Sequence, residues 1–168
     1  MQDLRINEKR LWDTLMEMGD IGGTEKGGCN RLAGTDLDKQ SRDLFVSWCK
    51  ACGCDVEVDK IGNIFARRPG KYNDLPAVGT GSHLDTQPTG GKFDGVFGVL
   101  SGVEVLRTLH DNNIETPTAM EFSVWTNEEG SRFQPAMQGS GTYVGRFDLE
   151  TELNKTDVNG IRLGDELE

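Results

Sequence analysis

Residues 76–109 read PAVGTGSHLDTQPTGGKFDGVFGVLSGVEVLRTL. Pro76 to Leu84 is a short, largely apolar run, the pattern of a strand. From Asp94 to about Leu109 the apolar residues Val96, Val99, Leu100, Val103, Leu106 and Leu109 recur at helical spacing, so a helix follows. Thr118 to Trp125 reads as the next strand. Working outward, Asp55-Val56-Glu57-Val58-Asp59 alternates strictly, as a half-buried strand does. Ile61 to Arg68 is its hairpin partner, with the turn near Gly62-Asn63 and a stop at Pro69-Gly70. Further upstream, helices are expected over 3–18, with Leu4, Leu11, Leu15 and Met18 on one face and Gly19 as the stop, and over about 36–52, capped by Thr35 or Asp36 and ended by Gly53. Gly139 to Val144 can start a helix, and the tail from Leu149 is polar and weakly patterned. Helix and strand alternating after a hairpin predict an α/β layered domain with a largely parallel sheet.

Composition narrows the function classes. The chain has 168 residues, the size of one domain, and a formal net charge of −10. That charge repels phosphate backbones and anionic membrane surfaces, so neither nucleic acid nor membrane is an expected partner. No apolar run approaches the ~18 residues of a spanning helix, and the start lacks the uninterrupted apolar stretch of a secretory signal. A cytoplasmic protein is expected. Cys49, Cys52 and Cys54 lie in CKACGC, but there is one Cys-x-x-Cys arm, no second arm and no nearby histidine, so neither a zinc knuckle nor a disulfide framework is expected. The 22 glycines cluster at 19–34, 79–102 and 130–145, marking turns where backbone passes close to something.

Three acid-rich segments carry candidate chemistry. His83 and Asp85, two apart at a strand end, project to one side of an extended chain. A metal-ligating imidazole needs an acceptor on its other nitrogen, and Asp85 is placed to help orient it. Asp94 sits where a glycine-rich loop meets a helix. Glu128-Glu129 follow the next strand, so that one can ligate metal while the other handles protons. All lie at or beyond carboxyl ends of strands, where open α/β sheets bind ligands. Imidazole with carboxylates suits zinc, manganese or cobalt, and a carboxylate bridging two ions about 3.5–4 Å apart is a hydrolytic arrangement. Each segment alone has an ordinary reading as well: a hydrogen-bonded histidine, a helix N-cap, a solvated acidic pair on a turn. Pattern alone leaves the choice open.

GSHLDTQPTGGKFDGVFGVLSGVEVLRTL followed by WTNEEGSRFQPAMQGSGTYVG closely resembles the hydantoinase/carbamoylase family of the metal-dependent aminoacylase–carboxypeptidase superfamily, and GGTEKGGCNRLAGTDLDKQSRDLF and VDKIGNIFARRPG are similar to it too. The family includes N-carbamoyl-L-amino-acid hydrolases, allantoate amidohydrolases and ureidopropionases. The resemblance implies a layered α/β/α catalytic domain with a largely parallel mixed sheet. It implies two divalent metal ions (zinc, manganese or cobalt), with His83 on one, Asp94 bridging, Glu129 on the other, Glu128 as general base and Asp85 supporting His83. The expected substrate is a small carbamoyl or ureido compound. It also implies a cis peptide between Asp94 and Gly95, although such a non-proline bond costs about 2.5–4 kcal/mol. Family members are more than twice this length and add further histidine ligands and a lid through which they are expected to form homodimers. Residues 1–168 are therefore expected to be the N-terminal portion of the catalytic domain, truncated, with the lid/dimerisation domain absent and no activity of their own. His110, the second histidine, is expected to face solvent at a helix end. The rival reading is a non-catalytic metal-binding or interaction domain.

Overall fold

A computed structural model of the chain describes residues 4–168. The elements in order are α1 (Glu8–Asp20), α2 (Asp36–Ala51), β1 (Asp55–Val58), β2 (Ile64–Arg68), β3 (Val78–His83), α3 (Val96–Asp111), β4 (Met120–Trp125), α4 (Gln138–Tyr143), α5 (Leu149–Leu153) and α6 (Leu163–Glu166). The helix expected over 3–18 begins later. Asn7 caps it by accepting from the Arg10 N–H at 3.0 Å, and residue 3 lies outside the described residues. The helix also runs past Gly19 to Asp20, and the reversal falls at Gly22, which has a positive φ. Thr35 caps α2, and the Gly53 N–H closes on the Lys50 carbonyl just past its end. The hairpin loop is longer than the glycine suggested. Asp59 accepts from the Ile61 and Asn63 N–H groups, which keeps 59–63 out of the ladder, so β2 starts at Ile64.

The four strands form one mixed sheet in the order β1-β2-β4-β3. Parallel pairing is confined to β3 and β4, where His83 lies opposite Trp125, because only α3 carries the chain back to start a strand in the same sense. β2 pairs antiparallel with both β1 and β4. β3 is an edge, with Val78, Gly79, Thr80 and Gly81 exposed.

Helices α1, α2 and α3 cover one face. Leu15, Met18, Phe45, Val99, Leu100, Val103 and Leu106 meet Ile64, Ala66, Phe122 and Val124 from the sheet. Truncating a buried leucine such as Leu100 or Leu106 to alanine is expected to cost about 2–5 kcal/mol. Gly102 lets α3 settle closely on the sheet, since a methyl there would press on Phe122 and Thr80. An ion pair to the buried Glu104 fastens α1 to α3: Arg10 Nε donates to Glu104 Oε2 at 2.8 Å, and the Asn7 N–H donates to Glu104 Oε1 at 2.9 Å. The second face of the sheet carries Phe65 and Trp125. That face meets α4 through Tyr143, which contacts Phe65 and Trp125 with ring centroids 5.2 and 5.4 Å away.

The polar tail holds two short helices that its pattern did not signal. Leu163 is buried against Ile61 and Phe133, and Arg132 reaches Asp157 and Glu166 at 3.1 Å each. Cys29, Cys49, Cys52 and Cys54 are all buried and in no disulfide. No described helix is long and apolar enough to cross a membrane.

Candidate metal centre

His83 is the last residue of β3, and its ring is held from two sides. Its Nδ1 lies 2.9 Å from the Asp85 carbonyl oxygen. A carbonyl only accepts, so Nδ1 donates to it, which leaves Nε2 as the ring nitrogen that can face a metal. The support comes from the main chain of Asp85; its carboxylate stands farther off, 3.8 Å from Nδ1. On the other side Gly95 touches the ring. With φ 65° it takes the left-handed conformation, and any Cβ there would overlap the imidazole.

The Asp85 carboxylate has a different task. It is buried and accepts the N–H groups of Glu128 and Glu129, one on each oxygen at 3.2 Å. Burial pushes its pKa up to about 6 and the nearby Asp38 adds to this, against the opposing pull of His83 and the two N–H groups. Asp85 thereby joins the β3 end to the β4 end. Arg31, wholly buried, secures the same corner: Nε donates to the Leu84 carbonyl at 2.8 Å, and the Thr86 N–H donates to the Arg31 carbonyl at 2.8 Å.

Asp94 is exposed. It does not cap α3: the N-cap residue is Gly95, with no side-chain cap hydrogen bond. The cis peptide expected between Asp94 and Gly95 is absent. The cis bond found among the described residues is Gln134–Pro135, and the chain turns after Asp94 through the positive φ of Gly95 instead, which glycine adopts without penalty. Glu128 and Glu129 follow β4, both half-buried. Glu128 Oε2 lies 3.4 Å from His83 Nε2.

One ligand atom from each of His83, Asp94 and Glu129 lies within 4.8 Å of the others, and among the described residues this is the group of His, Cys, Asp and Glu side chains with such spacing. Ligands about 2.0–2.2 Å from one ion are separated by no more than twice that length. The set therefore fits a divalent ion with a small closure, and its nitrogen and oxygen donors suit zinc, manganese or cobalt. The centre lies open. A groove of about 630 Å³ between α2, the 59–62 loop and the last residues has none of these side chains in its lining. His110 is exposed in the last turn of α3, as expected, and is not part of the group.

Several residues that shape the centre are not candidate site residues by sequence pattern. Gln87 Nε2 donates to Glu129 Oε2 at 3.0 Å. Asn63, fully buried, accepts from the Thr126 N–H and donates to the Gly139 carbonyl, both at 3.0 Å, tying β4 to α4. Asn127 has φ 48°, a left-handed position. Its signal was available: asparagine is the side chain, after glycine, that tolerates this conformation beside a turn.

The model of the peptidase family M20/M25/M40 matches residues 79–162, half of the chain. An N-carbamoyl-L-amino-acid amidohydrolase of Rhizobium meliloti is 51% identical over 166 residues, covering 99% of this chain and 40% of the relative. A ureidoglycolate hydrolase of Arabidopsis thaliana is 32% identical over 157 residues, covering 94% of this chain and 33% of the relative. The crystal structure of a hydantoinase/carbamoylase family amidase from Burkholderia ambifaria superposes with a TM-score of 0.96 at 52% identity, covering 98% of this chain and 40% of that one. The chain thus spans about 40% of the length of the first curated relatives it matches.

Proposed function

The chain belongs to the peptidase family M20/M25/M40, and from that premise we propose that it carries the metal-holding and proton-transfer part of an amidohydrolase acting on linear, non-peptide C–N bonds. N-carbamoyl-L-amino acids are the leading substrates. The observation that carries this reading is the convergence of His83, Asp94 and Glu129 with Glu128 alongside, in a chain 51% identical to an N-carbamoyl-L-amino-acid amidohydrolase.

In this reading His83, Asp94 and Glu129 would hold two divalent ions, with Asp94 a ligand common to both. Bound there, divalent ions supply Lewis acidity that lowers the pKa of a coordinated water toward neutrality. Glu128 takes the proton from the attacking water as its oxygen adds to the ureido carbon. When the C–N bond breaks, Glu128 returns that proton to the leaving nitrogen. Asp85 keeps both glutamates aimed by gripping their N–H groups. Substrate grip and dimer formation are assigned to the length of the relatives that this chain does not span. The four free, buried cysteines support a reducing, cytoplasmic setting.

Ureidoglycolate or allantoate hydrolysis and ureidopropionase activity are the near alternatives, the first favoured by the 32% identical ureidoglycolate hydrolase. A non-catalytic metal-binding domain is the reading from another class, favoured by the exposure of Asp94 and a group of three ligands. The test joins residues 1–168 to the remaining length of the Rhizobium meliloti relative and assays N-carbamoyl amino acids, allantoate and ureidoglycolate with added zinc, manganese or cobalt. Residues 1–168 alone are expected to turn over nothing measurable. The chimera is expected to hydrolyse N-carbamoyl-L-amino acids, and Glu128→Gln to lower its turnover at least about 100-fold while zinc still binds. A chimera that binds metal and turns over none of the three overturns the reading.

A further inference from the structure

Glu128 and Glu129 sit on a loop whose shape their own side chains do not set. At its base three main-chain bonds lace the two sides: the Gly139 N–H to the Thr126 carbonyl (2.9 Å), the Gln138 N–H to the Asn127 carbonyl (3.3 Å) and the Met137 N–H to the Glu128 carbonyl (2.7 Å). The loop interior is filled by one amide. Asn127, fully buried, donates from Nδ2 to the Phe133 carbonyl and to Gln138 Oε1, both at 2.8 Å, with the Pro135 carbonyl 3.4 Å away. Turned over, this amide would set its oxygen against three other oxygens, so its direction is fixed. Behind it Gln138, also fully buried, donates from Nε2 to Glu152 Oε2 at 2.8 Å and to the Glu152 carbonyl at 3.3 Å. Both of these Glu152 oxygens accept from the Gln138 amide in this geometry. Glu152 thus orients the Gln138 amide, Gln138 Oε1 joins the Phe133 carbonyl in orienting Asn127, and Asn127 takes the left-handed step directly before Glu128.

We propose that Gln138 and Glu152 are positioning residues for the Glu128–Glu129 pair, acting through the buried Asn127 amide that shapes the loop. The functional meaning of this inference rests on the proposed reading of Glu129 as a metal ligand. Its physical content, that a buried carboxylate on α5 aims the turn after β4, does not. Neither residue touches the ions or the substrate. Their effect passes through the main chain of residues 127–129, held from below by Asn127 and from above by the Asp85 carboxylate.

The experiment combines zinc titration of the 168-residue chain by calorimetry with amide hydrogen exchange of Glu128 and Glu129 followed by NMR. Gln138→Met keeps the length and packing of the side chain and removes its amide. It is expected to weaken zinc binding about 10–100-fold, the usual range for a lost outer-shell partner, and to speed exchange at Glu128 and Glu129 at least about tenfold. Exchange at Val99 and Val103 in α3 should not change. Glu152→Leu should do the same, while Glu152→Gln, whose amide oxygen can still accept from Gln138, should stay within about threefold of the unaltered chain in both measurements. Gln138→Met and Glu152→Leu leaving both readouts within about threefold overturns the inference. So does exchange that rises equally in α3, because the residues are then merely structural. If the unaltered chain takes up no zinc, the metal reading fails instead, and the exchange rates alone decide the role of Gln138 and Glu152.

Discussion

The two arms of the metal centre are built by opposite means. The His83–Asp94 arm is shaped by what is missing: Gly95 leaves room for the imidazole, and Gly102 lets α3 settle close to the sheet. The Glu128–Glu129 arm is shaped by what is present, three buried amides and a buried carboxylate from Asn63, Asn127, Gln138 and Glu152. Asp85 is the joint between them. An arm fixed by steric fit fails abruptly when a methyl is added. An arm fixed by hydrogen bonds weakens by degrees as partners are lost.

The largest effect is therefore expected at Gly95. Gly95→Ala adds a Cβ that overlaps His83 and forces an L residue into the left-handed region, which costs about 1–2 kcal/mol for the conformation and about 1–3 kcal/mol for the crowding. Calorimetric titration should show zinc binding weakened by more than about 100-fold. A variant that still binds zinc as the parent does would break the contrast. Asn63→Ala probes the other arm. It leaves the Thr126 N–H and the Gly139 carbonyl without their partner, expected to cost about 2–3 kcal/mol in urea unfolding and about tenfold in zinc affinity. Loss of zinc binding as complete as for Gly95→Ala would show that both arms are equally brittle.

A smaller effect concerns the clamp beneath α3. Burial pushes the Glu104 carboxyl up, but the hydrogen bonds from Arg10 and the Asn7 N–H outweigh it and hold the group below its ordinary value. A carboxylate depressed in the folded state adds stability above its unfolded pKa, about 4.3, and that contribution is lost as pH falls through the folded value. Urea midpoints measured from pH 6 down to pH 3 should fall more steeply for the parent than for Glu104→Gln. Equal slopes would remove Glu104 from the acid limb. The smallest effect is at His110. Exposed at the end of α3, it should tolerate His110→Ala within about 0.5 kcal/mol with zinc affinity unchanged. Weakened binding would mean that a third arm had been overlooked.

This contrast also explains what was legible. The strand end at His83, the α3 stripe from Val96 to Leu109 and the helix cap at Thr35 are local patterns, and periodicity or glycine spacing announces them. The pairing of β2 with β4 was not local: Ile64 and Val124 lie opposite each other across the whole βαβ segment, so the antiparallel pairing beyond the β1–β2 hairpin stayed hidden. The residues of the first arm stood out because glycine and histidine in one short stretch are conspicuous. Gln138 and Glu152 did not, since a glutamine and a glutamate in polar sequence look solvent-facing until the fold buries them. The tail failed for a related reason. Leu163 anchors it against partners far upstream, and one apolar residue makes no pattern.

The exposed edge at β3 has a colloidal consequence. Val78 to Gly81 present main-chain donors and acceptors along a strand whose glycines shield nothing, and a bare strand edge is a template for another strand. Mutual repulsion at a net charge of −10 keeps copies of the chain apart at neutral pH. That repulsion vanishes near the isoelectric point of about 4.7, so precipitation of the 168-residue chain should be fastest there, and the solid formed should show the ~4.7 Å interstrand spacing of stacked β-structure.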